Sequence, residues 1–559
     1  MTGRSLSEQV VSATAWNAVL LPARFLVGLL ASVVYYEKLS REQVGLVFLL
    51  TSLATTIGMY ADLGLERSLP RFLPEMEKRG GRAGVRALLR KVVGLKVAVL
   101  AVVLVALALL ARPLVHHLAE RERAQAARLE EPARAGEHTA GPVDRPAEAA
   151  TKRALANEID RRGVWLLGAV GLLVVLGAFF DVHMQFLTAY FRQRSWNLIT
   201  LVNTLLQPVL VTTFVLLGFG VPGVVLGLVL TPACALVLAV ARTRRVEADL
   251  AEVPGDGTVP EDLKTRFAGY SAMTYLQQVT TWLYDLDVVV FLSAAALGLS
   301  ETAILGFAYK FARDTLGYVW TPLTGVITPL LSRVKARDEA GGLQDAQASL
   351  SRMIWLLLVP SLAGLLLLAP GLLSILYPKY VEALPLVAVF LVFAFVESML
   401  SVPQSVLMVC ERYKPVVVAR LLAACSIPLT AWLMPAYGLY GVAVAVGVAR
   451  VASRLYAVAA GSRLLGLRLP WAFGARVGEA VVAMSGVVLA LRLLLPTASA
   501  ATGPRRLIAL LPLLALALVG AAVFAVALRT LGGLEETDRR RLEQLQFPGR
   551  QVLLRFLAS

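Results

Sequence analysis

Histidine and cysteine are scarce in this chain, 4 and 3 among 559 residues. Cys234, Cys410 and Cys425 lie in apolar runs with neither C-x-x-C nor Cys/His spacing, which argues against a disulfide framework or a zinc site and leaves them as packing residues. Three of the histidines, His116, His117 and His138, share one polar segment, and adjacent histidines cannot both face one metal from a regular helix. No G-x-x-x-x-G-K-[ST] loop and no hydrolase or kinase constellation is present, so neither ATP hydrolysis by that route nor a cofactor is expected. Charge is thin as well, at 16% of residues, and no RNA- or DNA-binding motif accompanies the basic ones; nucleic acid is not an expected partner.

What the chain has in excess is apolar length. Hydrophobic residues make up 57% of it, and a mean hydropathy of +0.70 is too high for a soluble protein of this size. A 20-residue window finds about fourteen candidate transmembrane helices, each long enough to cross some 30 Å of hydrocarbon. Only Arg4 precedes the first run and no small-residue cleavage site follows, so that run reads as a retained helix. The net charge of +16 sits mostly between the runs. With loops numbered from a cytoplasmic N-terminus, about 31 Lys/Arg fall inside and about 5 in the short external loops, the bias of the positive-inside rule. Both termini are therefore expected in the cytoplasm. The long external segment Pro113 to Arg162 mixes charges of both signs with prolines and reads as a solvated, partly disordered loop.

An internal repeat organises these spans. Shifting FRQRSWNLITLVNTLLQPVLVTTFVLLGFGVPGVV from Phe191 by 220 residues carries Arg192 onto Arg412, Arg194 onto Lys414, Pro208 onto Pro428 and Gly218 onto Gly438. Gly220-x-x-Gly223-Val recurs as Gly438-x-x-Gly441-Val after a two-residue slip. Earlier in the chain a shift near 260 brings Leu39-Ser40 onto Leu299-Ser300 and, with a one-residue slip, Pro70 onto Pro329; the external segment accounts for the difference. The expected fold is thus an all-α polytopic membrane protein of two parallel six-helix repeats plus two extra C-terminal helices. Its expected parts are an N-lobe at 1–241 with the external loop 113–162, a cytoplasmic linker at 242–266, a C-lobe at 267–462, two further spans within 463–528 and a cytoplasmic tail at 529–559. The tail mixes basic and apolar residues and reads equally as a helix on the cytoplasmic leaflet or a solvated one.

Charges inside spans mark the candidate site, since each costs about 2.5 to 3.5 kcal/mol at a helix centre on insertion scales. Phe267 to Ser332 holds Asp285, Asp287, Lys310, Arg313 and Asp314 in two apolar runs. Lys310 and Arg313, three apart, share a helix face that suits phosphate, or else are neutralised by the neighbouring aspartates. Asp285 and Asp287 point to nearly opposite sides of a regular helix, and Asp287 is the one favoured for the cavity. Arg24 lies mid-helix, facing either the cavity or an acid such as Asp287. Arg450 and Arg454 form an i, i+4 pair with Arg450 near mid-membrane, and deep-lying Glu397 either carries a proton or pairs with an arginine. Arg420 lies where snorkelling accounts for it. Asp181 and His183 read as a proton relay, or His183 as a buried histidine that is simply hydrogen-bonded, and Glu479 and Arg492 are left outside the site. The candidate set is Arg24, Lys310, Arg313 and Arg450 for substrate, with Asp287 and Glu397 for ion coupling or gating.

LSREQVGLVFLLTSLATTIGMYADLGLERSLPRFLPE, at Leu39 to Glu75, resembles the "L-x-x-E-x-x-G … ADLGL-x-x-x-L-x-R-F-x-P-E" signature of polysaccharide-biosynthesis flippases, the Wzx-like branch of the multidrug/oligosaccharidyl-lipid/polysaccharide exporter superfamily. TPLTGVITPLLSRV, VPSLAGLLLLAPGLLSILYPKYVEALP and GLYGVAVA look like its later landmarks. The resemblance implies a V-shaped, two-lobed fold of twelve or fourteen helices in the bacterial inner membrane. It implies a carrier that flips an undecaprenyl-pyrophosphate-linked oligosaccharide to the external leaflet by alternating access coupled to an ion gradient. Membrane lipid, a polysaccharide polymerase and a chain-length regulator are the further partners it suggests. Cationic cavity residues for the headgroup would fit Arg24, Lys310 and Arg313, although the segment 113–162 is longer than the family's usual loop. Two other classes stay in view. A drug or cation antiporter of the same superfamily would want a cavity rich in acids and aromatics, and a membrane polysaccharide polymerase would want a large loop with paired acids.

Overall fold

The computed structural model describes residues 26–130, 145–250, 252, 258–282, 285–336, 342–494 and 505–532. Every regular element among them is helical. By length and composition, ten of the helical segments are apolar enough to cross a membrane. Contacts divide the chain into two compact units, Met1–Ala303 and Ile304–Ser559.

The first unit runs from α1 (26–38) through α2 (Arg41–Ala61), α3 (Leu65–Glu130), α4 (Arg145–Ala189), α5 (Gln193–Leu216), α6 (Gly220–Ala248) and α7 (Glu261–Trp282) to α8 (Leu286–Ala296). α2 begins with a capping box in which Ser40 accepts from the Gln43 amide and Gln43 accepts from the Ser40 amide (3.2 and 3.1 Å). It ends in the ADLGL block, where Leu63 and Gly64 both take positive φ (54° and 68°). A side chain on Gly64 would also collide with the Ser271 carbonyl and the Tyr275 amide, so α7 can lie against this turn only because residue 64 is glycine. Tyr275 donates to the Tyr60 carbonyl (3.0 Å) and the Ser68 and Ser271 hydroxyls share a hydrogen bond (2.8 Å), fixing α7 there. At the charged linker Arg79 donates to Asp262 (2.7 Å), and that bond holds the Asp262 carboxyl below the ordinary carboxylate range.

The sequence predicts one helix over 267 to 297; the structure ends α7 at Trp282 and restarts at α8, with Asp285 as N-cap accepting the Asp287 amide. A short acidic side chain that bonds backbone two residues on competes with the helical ladder, which gives the break its cause. α7 and α8 pack on α3 and α2 of the first unit.

The largest departure from expectation lies outside the apolar spans. Residues 113–130 and 145–162 are helix, not irregular loop, with 131–144 outside the described residues. Past its bend at Gly81, α3 continues for roughly 70 Å at 1.5 Å per residue, more than twice the hydrocarbon core of about 30 Å. α4 packs against it along a seam, half of it alanine, spaced by threes and fours. Ala111, Val115, Ala119, Glu122 and Ala126 are buried from one side, Ala149, Lys152, Ala156, Ile159 and Gly163 from the other. Arg123 pairs with Asp160 and Arg153 with Glu130 along its flanks.

The second unit holds most of α9 (Leu299–Ala336), then α10 (Gly342–Leu376), a 3₁₀ turn (Pro378–Ala383), α11 (Leu384–Met399), α12 (Val402–Val409), α13 (Tyr413–Ala424) and α14 (Ser426–Leu465). The two extra helices, α15 (Trp471–Leu494) and α16 (Arg505–Thr530), both pack on α10: Trp355 fills the space left by Gly474, and Leu513 meets Gly371. Arg492 donates to the Leu367 carbonyl (2.7 Å), a structural bond. The cysteines are free thiols, Cys234 and Cys425 on exposed faces and Cys410 half-buried.

The 220-residue repeat is written into the backbone. Phe191 (φ 53°) and Glu411 (φ 59°) are the described non-glycine residues besides Leu63 with positive φ. Each closes its turn with the same bonds, Phe191 to the Thr188 carbonyl and Arg192 to Leu187 in one unit, Glu411 to Met408 and Arg412 to Leu407 in the other. Gly220 and Gly438 then reverse the chain at φ 58° and 54°. α14 accordingly folds back at Gly438, where a Cβ on Gly441 would stand 2.5 Å from the Leu433 carbonyl.

Candidate functional site

Within the second unit, α9, α11 and α14 enclose a cavity of about 330 Å³. Two of these helices approach closely because α14 carries glycine at 447: a Cβ there would overlap the Phe393 ring of α11. One turn further along both helices, the pinch brings Glu397 to the arginines of α14. Its Oε1 accepts from Arg454 (3.0 Å) and its Oε2 stands 3.5 Å from Arg450. Arg454 donates in addition to Gln404 of α12. Arg450 and Arg454 are a turn apart on one helix face, so a single carboxylate reaches both. From α9 Arg313, an exposed side chain, lines the same cavity, its guanidinium 5.9 Å from the Tyr309 ring centre, and the walls include Phe390, Phe393, Ser398 and Ser401. Among the described lining residues, three guanidinium groups thus share a small aromatic chamber with the carboxylate of Glu397, an arrangement that favours an anion with several oxygens.

Of the candidate residues, Arg313, Arg450 and Glu397 come together here, joined by Arg454. Lys310 is exposed and is not among the residues lining the cavity. Asp287 lies in the first turn of α8, in the first unit. Arg24 falls outside the described residues.

A second cluster of intramembrane charge was not among the sequence candidates. Lys96 of α3, 2% exposed, binds Glu66 and lies 3.4 Å from Asp62, both part of the ADLGL-E block. Gln278 of α7, its amide oriented to satisfy both neighbours, donates to Asp62 Oδ2 (2.7 Å) and accepts from Arg67 Nε (2.5 Å). Asp181 of α4 is within electrostatic reach of Lys96, Asp62 and Arg67, whereas His183, two residues on, is within reach of Arg244 and Glu247. The signal for this cluster was available: a lysine in the middle of VVGLKVAVLAVV has no reason to be there without a partner. No group of three or more metal-ligating side chains forms among the described residues.

Residues 153–385 match a family described as "Polysaccharide biosynthesis protein". No curated protein matches the sequence. Among solved structures the chain is similar to "Lipid II flippase MurJ, inward closed conformation", with a TM-score of 0.63 at 12% identity over 91% of this chain and 99% of that one. It is also similar to a multidrug resistance MATE family transporter of the MOP superfamily in an inward-facing conformation, at TM-score 0.57 and 15% identity over 79% and 94%. At such identities the likeness is one of fold. The resemblance drawn from the ADLGL block is thereby met from two sides, by a polysaccharide-biosynthesis family over the middle of the chain and by the flippase and transporter fold over most of it.

Proposed function

We propose that this membrane protein is a flippase, not an enzyme, that moves a polyprenyl-pyrophosphate-linked oligosaccharide across the bacterial inner membrane by alternating access, for the synthesis of a cell-surface polysaccharide such as an exopolysaccharide, capsule or O-antigen. The observation that carries the reading is the gathering of guanidinium groups in the second unit's cavity, where Arg450 and Arg454 pair with Glu397 and Arg313 lines the same wall, Glu397 being the acid among the described lining residues. Arginine forks match the paired oxygens of a diphosphate, and the aromatic walls suit the sugar next to it. The family matched at residues 153–385 and the fold shared with a lipid II flippase support the same class. A polysaccharide polymerase and a chain-length regulator are the protein partners such a carrier would serve. A drug or cation antiporter would need a cavity whose acids are open to a cation, and Glu397, the acid among the described lining residues, is engaged by two arginines.

Deletion of the gene is expected to trap a lipid-linked oligosaccharide on the cytoplasmic leaflet, read by mass spectrometry of lipid extracts. Complementation with Arg450→Gln/Arg454→Gln should leave it trapped. A deletion strain that accumulates no such lipid but loses resistance to cationic drugs would favour the antiporter.

A further inference from the structure

We infer that Glu397 is an exchangeable internal anion, holding at Arg450 the place that an oxygen of the substrate's diphosphate takes on binding. The inference rests on the reading of this cavity as a diphosphate site, and adds what fills the site beforehand. Glu397 gives one oxygen to each arginine, Oε1 to Arg454 and Oε2 to Arg450. Oxygens on a diphosphate would bridge two guanidiniums a helical turn apart in the same way.

The two contacts are unequal. Arg454 is held at 3.0 Å by Glu397 and also by Gln404, so it stays engaged when the carboxylate moves. The Arg450 contact, at 3.5 Å, is longer than a good charge-assisted hydrogen bond and is the one that gives way first. Glu397 is also placed to move. It lies two residues before the end of α11 at Met399; the chain then turns at Leu400 and Ser401, and Pro403 supplies no amide to the start of α12. Ser401 donates to the Ser398 carbonyl (2.7 Å) across the break.

The electrostatics set the direction of exchange. Half-buried among apolar helices, Arg450 and Arg454 favour an anion beside them, because a charge left uncompensated on burial costs more than a paired one. A carboxylate satisfies that preference in the empty carrier. A diphosphate, carrying more charge and more acceptor oxygens, displaces it, and when the diphosphate leaves Glu397 returns to reset the site. The same competition discriminates against singly charged anions, which offer no advantage over the resident carboxylate.

The test is titration of the purified full-length protein in lipid nanodiscs with inorganic pyrophosphate by isothermal calorimetry at neutral pH. Glu397→Gln, which keeps the shape and removes the competing charge, is expected to bind pyrophosphate about tenfold more tightly than the wild type. Glu397→Asp, too short to keep the longer contact, should bind more tightly by a smaller factor, and adding Arg450→Gln to either variant should abolish the gain. Pyrophosphate binding that Arg450→Gln weakens but neither Glu397 variant strengthens overturns the exchange and leaves the diphosphate site standing. Binding that is absent throughout, or indifferent to Arg450→Gln, removes the diphosphate site and the exchange together.

Discussion

Lys96 shows how one side chain in an apolar run commits several distant ones. Its ammonium is buried with the carboxylates of Glu66 and Asp62, and the Gln278 amide ties Asp62 to Arg67. Replacing one partner of a buried ion group leaves the others uncompensated, at a cost of about 3 to 5 kcal/mol. Lys96→Met is therefore expected to lower the melting temperature of the purified protein in nanodiscs, and Lys96→Met/Glu66→Gln to recover part of the loss. A single variant as stable as the wild type would show that water, not Lys96, compensates the acids. The lysine was legible in the sequence as a lone cation among valines and leucines, but its partners were not. Glu66 is thirty positions away, and only the course of α3, which carries both, brings it to Lys96. Glu397 was legible as a deep acid for the same reason, and its pairing with Arg454 needed the helix approach at Gly447.

At the scale of elements, the α3–α4 hairpin carries the clearest lesson. Half of its seam is alanine, which lifts hydropathy little, and the buried Glu122 and Lys152 and the flanking arginines and glutamates lower it, so composition reads as solvated loop. The spacing was nevertheless present: Ala149, Lys152, Ala156, Ile159 and Gly163 alternate by three and four. Gly163 meets Val115 so closely that an added Cβ would stand 2.7 Å from it. Helices packed on alanine tolerate no larger residue, and Ala156→Leu is expected to destabilise the hairpin by about 1 to 3 kcal/mol through overpacking. Hydrogen exchange of residues 145–162 measures it: faster exchange confined to the hairpin is the expected result, and unchanged protection would mean the seam is looser than its geometry. The break between α7 and α8 was illegible for the opposite reason, since the capping bond of Asp285 competes with helix in a run that hydropathy shows as continuous.

Over the whole molecule, the sequence repeat and the backbone agree where the backbone is least free. Phe191 and Glu411, 220 apart, both sit in the left-handed region, which costs a side chain about 1 to 2 kcal/mol that glycine does not incur. Both are exposed, Phe191 at 76%, so little packing is lost on truncation. Phe191→Gly and Glu411→Gly are each expected to raise the melting temperature, and by similar amounts. A gain at one position and a loss at the other would mean the two turns have diverged in their surroundings. The all-helical membrane architecture and the duplicated turns were legible from apolar length and a fixed shift. Which charges meet inside each unit was not, because that depends on how near two helices can come.

That nearness has one source in the second unit. Gly447 has no side chain, yet it works as a ruler for its neighbours. A single methyl group at this position would force either the Phe393 ring or α14 to yield, and each of them bounds the chamber that holds the ion triad. The room left for a guest, and the tightness of the latch that waits for it, are thus tuned together by a wall position that offers no chemistry of its own.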